Sequence, residues 1–449
     1  MVIKPDYEKL DGCEFYPADI MVEYKQCVDE GLDIEKYKEL FEFVSKLPKN
    51  EIAYDLGNTI FKIVTSAKQK EGYEFNEPSD LEGIRALRKP YPIKCEVNKS
   101  TLRDKVHGAW LGRICGCMLG KTVEGIRSDE FIPFLKETNN YPLHRYILRS
   151  DLMFDIEDKY KFCFSNMSYV GDIEGMPVDD DTNYMVLNQN IREKYGKDFT
   201  PYDVSITWMG SQTKYAYYTA EHVAFCNFIK GFTPPNSAVY KNHYREWIGA
   251  QIRGDYWGYI NPGNPELAAE MAWRDASISH VKNGIYGEMF IAAMIANAAV
   301  TSNIEDIILS GLAQIPYTSR LYKSVMTILE KFKSGISEEE TIAYIHSCYD
   351  EYTGYGWCHT IPNAMIVVAS LLYGKSDYAK SICRAVQTAF DTDCNGATVG
   401  SILGMANGIE SIPEYWSKPI NNTLYTSIFG VGKVKITDMV DKTMSHIEL

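Results

Sequence analysis

Apolar side chains recur at three- and four-residue intervals along most of this chain, which is the spacing expected of a helix with a buried face. In the first hundred residues, Ile34–Leu47 carries Tyr37, Phe41 and Val44 at that spacing, and Ile52–Thr65 repeats it less clearly. Strand-like alternation is scarce. We therefore predict an all-α fold. Further helices are predicted at Met185–Tyr195, Gly287–Val300, Ile304–Gln314, Leu321–Lys333, Glu338–Cys348, Ile361–Tyr373, Ser376–Phe390 and Ala397–Gly408.

The character of the sequence changes near residue 100. Residues 71–92 are polar and broken by Pro78, Pro90 and Pro92, which is typical of a linker or surface loop. From Thr101 onward the sequence becomes rich in glycine and other small residues, and long apolar segments follow. We predict a small helical N-terminal extension over residues 1–100, of unknown role, and a large compact helical domain over residues 101–449.

Charge and cysteine usage restrict the partners and the compartment. The net charge is −14, whereas a binder of nucleic acid or of an anionic membrane needs a basic face, so neither partner is predicted. The longest apolar stretches, Met289–Val300 and Ala364–Tyr373, are too short to span a bilayer. Eleven cysteines without a CxxC pair, and an N-terminus that lacks an apolar signal-peptide core, predict reduced thiols and a cytoplasmic location.

Two short acidic stretches suggest a metal site. They are Asp179-Asp180-Asp181-Thr182 and Asp391-Thr392-Asp393, and each adjoins an apolar helical segment. Clustered carboxylates repel one another and resist burial unless a cation neutralises them. Oxygen ligands of this kind suit Mg²⁺, Mn²⁺ or Ca²⁺. A helix cap for the first stretch remains an alternative, whereas a calcium loop for the second fails because its twelfth position is Ile402 rather than Glu.

Residues 206–260 are unusually aromatic, and this segment has two interpretations. Aromatic side chains are common core formers, so each of them can be a packing residue. The segment also contains Gly254 and Gly258 and runs into the turn Asn261–Asn264, so several of the rings can instead form the wall of a pocket. A planar base or a sugar ring would stack on such a wall.

Three segments together resemble the ADP-ribosylglycohydrolases, the family that includes the dinitrogenase reductase-activating glycohydrolase. Residues Gly108–Gly125 resemble the family's glycine-rich first helix, which ends in a glutamate, here Glu124. The stretch Asp179–Thr182 resembles its Thr-Asp-Asp-Thr motif, and Phe390–Ala397 resembles its Gly-Asp-Thr-Asp-Thr-Asn segment. The resemblance covers roughly residues 101–420 and leaves the first hundred residues unexplained.

The resemblance implies an all-α catalytic domain with two Mg²⁺ ions, or Mn²⁺ in some members, beneath an ADP-ribose pocket. It also implies a small-molecule or protein-linked ADP-ribosyl substrate. Metals can activate a water for attack on the ribose carbon while a carboxylate moves a proton. The implied roles are catalysis for Glu124 and Asp181, metal binding for Asp179, Asp180, Asp181, Asp391 and Asp393, and substrate binding for His280, Gly263 and Asn264.

Departures from the family pattern leave the substrate open. Asp179 and Cys394 stand where the family motifs have threonine, Cys117 stands where the first helix has aspartate, and the Gly263-Asn264 loop lacks a second glycine and an arginine. We predict a metal-dependent glycohydrolase that cleaves an ADP-ribosyl or related ribosyl bond. A hydrolase of nucleosides or other small N-glycosides and a non-catalytic ligand-binding or structural member remain alternatives.

Overall fold

Helices account for nearly all the regular structure. The computed structural model describes residues 4–92, 96–152 and 156–448, apart from the side chains of residues 157 and 158. Within these ranges one small antiparallel sheet pairs β1 (Thr423–Tyr425) with β2 (Lys433–Lys435), so that Leu424 lies opposite Val434. The predicted all-α fold is confirmed. None of the helices described is long and apolar enough to cross a membrane.

The helices before the second acidic stretch are α1 (Ile20–Asp29), α2 (Lys38–Ser45), α3 (Glu51–Ser66), α4 (Leu81–Ala86), α5 (Lys99–Lys121), α6 (Ser128–Glu137), α7 (Ile156–Lys159), α8 (Asp180–Tyr195), α9 (Pro201–Ser211), α10 (Thr219–Ile229), α11 (Asn236–Val239), α12 (Gly254–Tyr259), α13 (Pro265–Ala276), α14 (Lys282–Ala298), α15 (Ile304–Leu312), α16 (Arg320–Lys333), α17 (Glu338–Cys348), α18 (Gly354–Cys358), α19 (Thr360–Gly374) and α20 (Tyr378–Gln387). They are followed by α21 (Thr392–Asn407), α22 (Glu414–Ser417) and α23 (Ile436–His446).

Helices α5 and α21 pack backbone to backbone in an antiparallel pair. A Cβ atom built on Gly112 would lie 2.3 Å from the carbonyl oxygen of Gly400, and one built on Gly116 would lie 2.0 Å from that of Gly396. No side chain fits at such separations, so glycine at both faces permits the close approach. Because the helices run in opposite directions, the C-terminal end of α5 meets the N-terminal end of α21. The pairing therefore brings the first family-like motif to the third.

The N-terminal residues form a small hydrophobic cluster of their own and are joined to the rest by buried ion pairs. Tyr16, Ile20, Phe41 and Ile60 belong to this cluster. Arg245 lies 2.8 Å from Glu23 and 2.7 Å from Glu30, and all three side chains are nearly inaccessible to solvent. The boundary near residue 100 stays a prediction.

Residues 71–92 are more ordered than the predicted linker or surface loop. This segment contains helix α4, which Asp80 caps by accepting a hydrogen bond from the backbone N–H of Gly83 at 2.7 Å. Ile84 on that helix is fully buried in the main hydrophobic core. The linker interpretation was wrong here because the prolines flank a short amphipathic helix rather than an open loop.

Candidate metal and active site

The first acidic stretch opens helix α8. Asp179 is the N-cap residue, and its Oδ1 accepts a hydrogen bond of 2.9 Å from the backbone N–H of Asp181. Its Oδ2 lies 2.7 Å from Nζ of Lys121. The capping interpretation is therefore confirmed for Asp179. Because both of its oxygens already have partners, Asp179 is the least free of the five aspartates to bind a cation.

Asp181 is fully buried beneath this cap. One nitrogen of Arg113 lies 2.8 Å from Oδ1 of Asp181, and the other terminal nitrogen lies 2.8 Å from Asp255, with all three side chains inaccessible to solvent. Within the described ranges, Oδ2 of Asp181 has no hydrogen-bond partner. A buried carboxylate oxygen without a partner carries a desolvation cost that a bound cation would remove.

The second acidic stretch is held by helix α5 and by Asn363. The backbone N–H of Asp391 and the side-chain amide of Asn395 both donate to Oδ1 of Asn363, at 3.3 and 2.8 Å. The hydroxyl of Thr392 donates to the carbonyl oxygen of Gly120 at 2.9 Å, which ties the start of α21 to the end of α5. Oδ1 of Asp393 has no partner among the described residues.

The two stretches meet at one cavity of about 470 Å³. Ligand atoms of Asp181, Asp393 and Cys394 lie within 4.8 Å of one another, and a second such group joins Asp181 to Asp179 and Cys117. The two acidic stretches therefore lie side by side, and the thiol of Cys394 lies next to the carboxylates of Asp181 and Asp393. The charged side chains that line the cavity are Lys121, Glu124, Asp179, Asp180, Glu221, Asp391 and Asp393.

Negative charge exceeds positive charge at the floor of this cavity. The pKa of Glu124 is held well above its usual range, first by the charge of Asp393 and then by burial. Burial, followed by the neighbouring aspartates, also raises the pKa of Asp180, Asp391 and Asp393. The carboxylates therefore bind protons tightly as they stand, and a divalent cation would relieve the same repulsion. Excess charge and unpartnered buried oxygens together fit a metal centre.

A family comparison agrees with this geometry. The family model described as ADP-ribosylglycohydrolase matches residues 98–447. The chain belongs to the ADP-ribosylglycohydrolase family. The matched range contains α5, α8 and α21, so the three motifs that suggested the resemblance all lie inside it. Membership supports a glycohydrolase type of enzyme for this chain.

Two further comparisons were with solved structures and with curated protein sequences. A solved structure of an "ADP-ribosylglycohydrolase-related protein complex" is similar to this chain at 16% identity and a TM-score of 0.49, over 77% of this chain and 98% of that one. No match is found among curated protein sequences.

Aromatic side chains form part of the wall of the cavity. Tyr215 and Tyr218 line the cavity and are largely exposed, and Trp357 lines it from a different segment. The indole N–H of Trp357 donates to the carbonyl oxygen of Phe390 at 2.5 Å, which fixes the ring next to the second acidic stretch. Most other rings of residues 206–260 are buried in the core. Both interpretations of the aromatic segment are therefore right, for different rings.

The three predicted substrate-binding residues are not among the described residues that line the cavity. His280 is buried, and its Nδ1 lies 2.8 Å from Oγ of Ser279. Gly263 has a φ of 71° in a tight turn, and Asn264 caps α13 by accepting from the N–H of Leu267 at 3.1 Å. Turn geometry and capping explain Gly263 and Asn264. The substrate-binding role of all three stays a prediction, without support from the cavity.

Several residues of the site escaped the sequence analysis. Arg113 and Lys121 pair with Asp181 and Asp179 of the first acidic stretch. Charged side chains inside a helix of small residues were an available signal, because buried cations need carboxylate partners. Glu221 lines the cavity and lies 3.0 Å from Arg253, and burial raises its pKa to about 7. No sequence pattern singles out Glu221 or Trp357.

Proposed function

We propose that the protein is a metal-dependent glycohydrolase that cleaves an ADP-ribosyl or related ribosyl glycosidic bond with an activated water. The observation that carries the proposal is the meeting of both acidic stretches with Glu124 at the floor of one cavity. A volume of about 470 Å³ lies in the range of small-ligand sites. Family membership supports the glycohydrolase part of the proposal.

Asp180, Asp181, Asp391 and Asp393 would hold one or two hard divalent cations, Mg²⁺ or Mn²⁺. Their oxygen donors suit these ions, whereas the thiol of Cys394 is a poor ligand for them. When bound, such ions would activate a water and orient the ribose hydroxyls. Asp179 would contribute less, because Lys121 and the backbone of Asp181 already occupy its oxygens.

Glu124 is the residue best suited to move a proton. It lines the cavity beside the aspartates, and the charge of Asp393, followed by burial, holds its pKa well above the usual range, so its carboxyl group keeps a proton more readily than that of a free glutamate. It could take a proton from the attacking water or give one to the leaving group. Asp181 is bound to Arg113 and is not among the described residues of the lining, so its role would be to hold a cation rather than to contact substrate.

One observation favours a smaller substrate as a second candidate. Among the described residues that line the cavity, Lys121 is the single basic side chain, and it is already bound to Asp179. A diphosphate would therefore find little positive charge from the protein, and bound metal ions would have to supply it. A nucleoside or another small N-glycoside would need only the ribose and base contacts that the acidic floor and the aromatic wall offer.

A substrate panel with controlled metal content tests these proposals. The full-length protein would be stripped with EDTA and incubated with ADP-ribosylated arginine, an ADP-ribosylated protein and simple nucleosides, and products would be separated by chromatography. We expect turnover to return with Mg²⁺ or Mn²⁺. Glu124→Gln should lower it by about 100-fold or more, the usual size of acid–base catalysis. Asp393→Asn should lower it by removing a metal ligand, whereas exposed Glu410→Gln should leave it unchanged.

The pattern of products distinguishes the alternatives. Release of free ADP-ribose supports the first candidate, and turnover of nucleosides alone supports the second. Full activity in EDTA would refute metal dependence. Metal and ligand binding without turnover of any substrate would instead support the non-catalytic alternative.

A further inference from the structure

A second cluster of metal-binding side chains lies at the contact between the N-terminal segment and helix α10. Ligand atoms of Glu14, His222 and Cys226 lie within 4.8 Å of one another. Glu14 ends a short 3-10 helix in the first hundred residues, whereas His222 and Cys226 lie one turn apart on α10. None of the three is needed for the proposed glycohydrolase reaction, so the cluster calls for a separate explanation.

The backbone determines which nitrogen of His222 can bind a cation. Nδ1 lies 3.2 Å from the carbonyl oxygen of Tyr217, and that contact requires a proton on Nδ1 because a carbonyl oxygen only accepts. In a neutral ring, Nε2 then carries the lone pair. Nε2 lies 3.2 Å from Oε1 of Glu14. Two lone pairs at that distance repel each other unless a proton or a metal ion lies between them.

The thiol of Cys226 is the third donor, and its position favours a metal ion over a shared proton between His222 and Glu14. Sγ of Cys226 lies 3.7 Å from the same Oε1 of Glu14, so nitrogen, sulfur and oxygen donors face a common point. Burial, followed by the charge of Glu14, raises the pKa of Cys226 to about 11, so the thiol keeps its proton in the absence of a metal. Donors at positions i and i+4 of one helix are a known arrangement for zinc ligands.

We propose that Glu14, His222 and Cys226 form a binding site for a borderline-soft divalent cation such as Zn²⁺. Imidazole, thiolate and carboxylate are the three ligand types of zinc sites, and three protein ligands leave a fourth position for water. Binding converts the thiol of Cys226 to a thiolate and releases that proton to solvent. A hydrogen bond from Nδ1 to a backbone carbonyl is also the usual outer-shell support of a metal-bound histidine.

The ammonium group of Lys214 would compete with a metal ion for Glu14. Its ammonium group pairs with the same Oε1 of Glu14 that faces His222 and Cys226. The metal-free cluster is thereby neutralised in part, and a cation must displace this contact from Oε1. If the cluster binds metal, removal of the ammonium group should therefore increase its affinity for the ion. If the cluster is only an ion-pair network, the same change should produce no zinc binding.

A metal at this position would connect the N-terminal segment to the cavity wall. Tyr215, Ala216 and Tyr218 line the cavity from the loop between α9 and α10, and Glu221 lines it from α10 itself. His222 is bound to Tyr217 within this loop, and its ring lies 6.4 Å from that of Tyr215. The ion would hold Glu14 against the element that carries this wall.

Cobalt substitution of the full-length protein tests the site directly. Co²⁺ bound through a thiolate gives a sulfur-to-metal charge-transfer band that oxygen ligands do not give, so titration with Co²⁺ followed by competition with Zn²⁺ would yield the affinity. We expect the band in the wild type, and its loss in Cys226→Ser. His222→Gln should weaken Zn²⁺ binding by at least about 10–100-fold, the range that outer-shell changes already reach.

Control variants at three other cysteines, and one variant expected to bind Zn²⁺ more tightly, complete the test. Cys117→Ser and Cys394→Ser alter thiols that lie next to the aspartates of the acidic stretches and should keep the band. Exposed Cys163→Ser should keep it too. Lys214→Met should tighten Zn²⁺ binding, which a misfolded variant would not do. The proposal is overturned if the band survives Cys226→Ser, if it disappears with Cys394→Ser instead, or if Lys214→Met leaves the affinity unchanged.

Discussion

Replacement of Gly116 by alanine would test whether the contact between α5 and α21 holds the two acidic stretches in place. The added Cβ would lie 2.0 Å from the carbonyl oxygen of Gly396 and 2.5 Å from its carbonyl carbon. Both are backbone atoms and cannot rotate away. To reach a separation of 3.0 Å, the helices would have to move apart by about 1 Å, and with them the end of α5 and the start of α21.

The expected cost follows from two opposing terms. Overpacking of a dense interior costs about 1–3 kcal/mol, and a rigid backbone neighbour favours the upper end. Alanine regains about 1 kcal/mol relative to glycine inside a helix. The net loss is therefore about 2 kcal/mol. With an unfolding entropy of about 2.1 cal/mol/K per residue over roughly 350 residues, this lowers the melting temperature by about 3 °C.

Thermal unfolding monitored by circular dichroism would measure this difference. Gly210→Ala is the matched control, because Gly210 is an exposed residue in helix α9 and, apart from the adjoining backbone of that helix and its chain neighbours, no described atom lies within 4 Å of the added methyl group. Gly210→Ala should be neutral or slightly stabilising. Gly400→Ala, whose Cβ would lie 2.1 Å from the carbonyl oxygen of Gly112, should behave like Gly116→Ala. If Gly116→Ala and Gly400→Ala were both as stable as the wild type, the argument would be refuted.

Three further predictions concern charge and substrate. At pH 8, Asp393→Asn should raise the melting temperature of the metal-free protein, because it removes charge repulsion. It should also abolish the rise in melting temperature caused by added Mg²⁺, because it removes a metal ligand; an unchanged effect of Mg²⁺ would contradict this. The pKa of Glu221 rises from 4.5 to about 7 on folding, so the free energy of unfolding should fall by about 3 kcal/mol between these pH values and stay reduced above them. Unfolding measured as a function of pH should show a smaller decrease for Glu221→Gln. Tyr218→Ala should weaken binding of a base-containing ligand in calorimetry by about 1–3 kcal/mol, whereas Tyr202→Ala, exposed outside the cavity lining, should not.

Helical periodicity located most of the core helices that support the site. The predicted helix Glu338–Cys348 matches α17, and Ile361–Tyr373 differs from α19 by one residue at each end. The predicted helix Ser376–Phe390 was too long, since α20 ends at Gln387 and Ala389 and Phe390 have positive φ angles. Apolar spacing reports which residues face a core, whereas the ends depend on local hydrogen bonds that the spacing does not encode.

The convergence of the acidic stretches was predictable because it follows from charge. Adjacent carboxylates beside apolar helices need a neutralising partner, whatever the fold. The identities of the supporting residues depend on tertiary packing instead. Asn363 holds both Asp391 and Asn395 from the first turn of an apolar helix, and Trp357 enters the cavity wall from a segment without any recognisable motif.

Asp179 shows how a departure from the family pattern is accommodated by its surroundings. Where the family motif has threonine, the aspartate keeps the capping function, since its Oδ1 accepts from the N–H of Asp181. Its extra negative charge is offset by Lys121, whose Nζ lies 2.7 Å from Oδ2. Lys121 is the last residue of α5, so the same glycine-lined helix that positions the second acidic stretch also carries the counter-charge for the first. The site therefore gains an ion pair where the family pattern has a neutral side chain, and the four remaining aspartates keep their excess of negative charge.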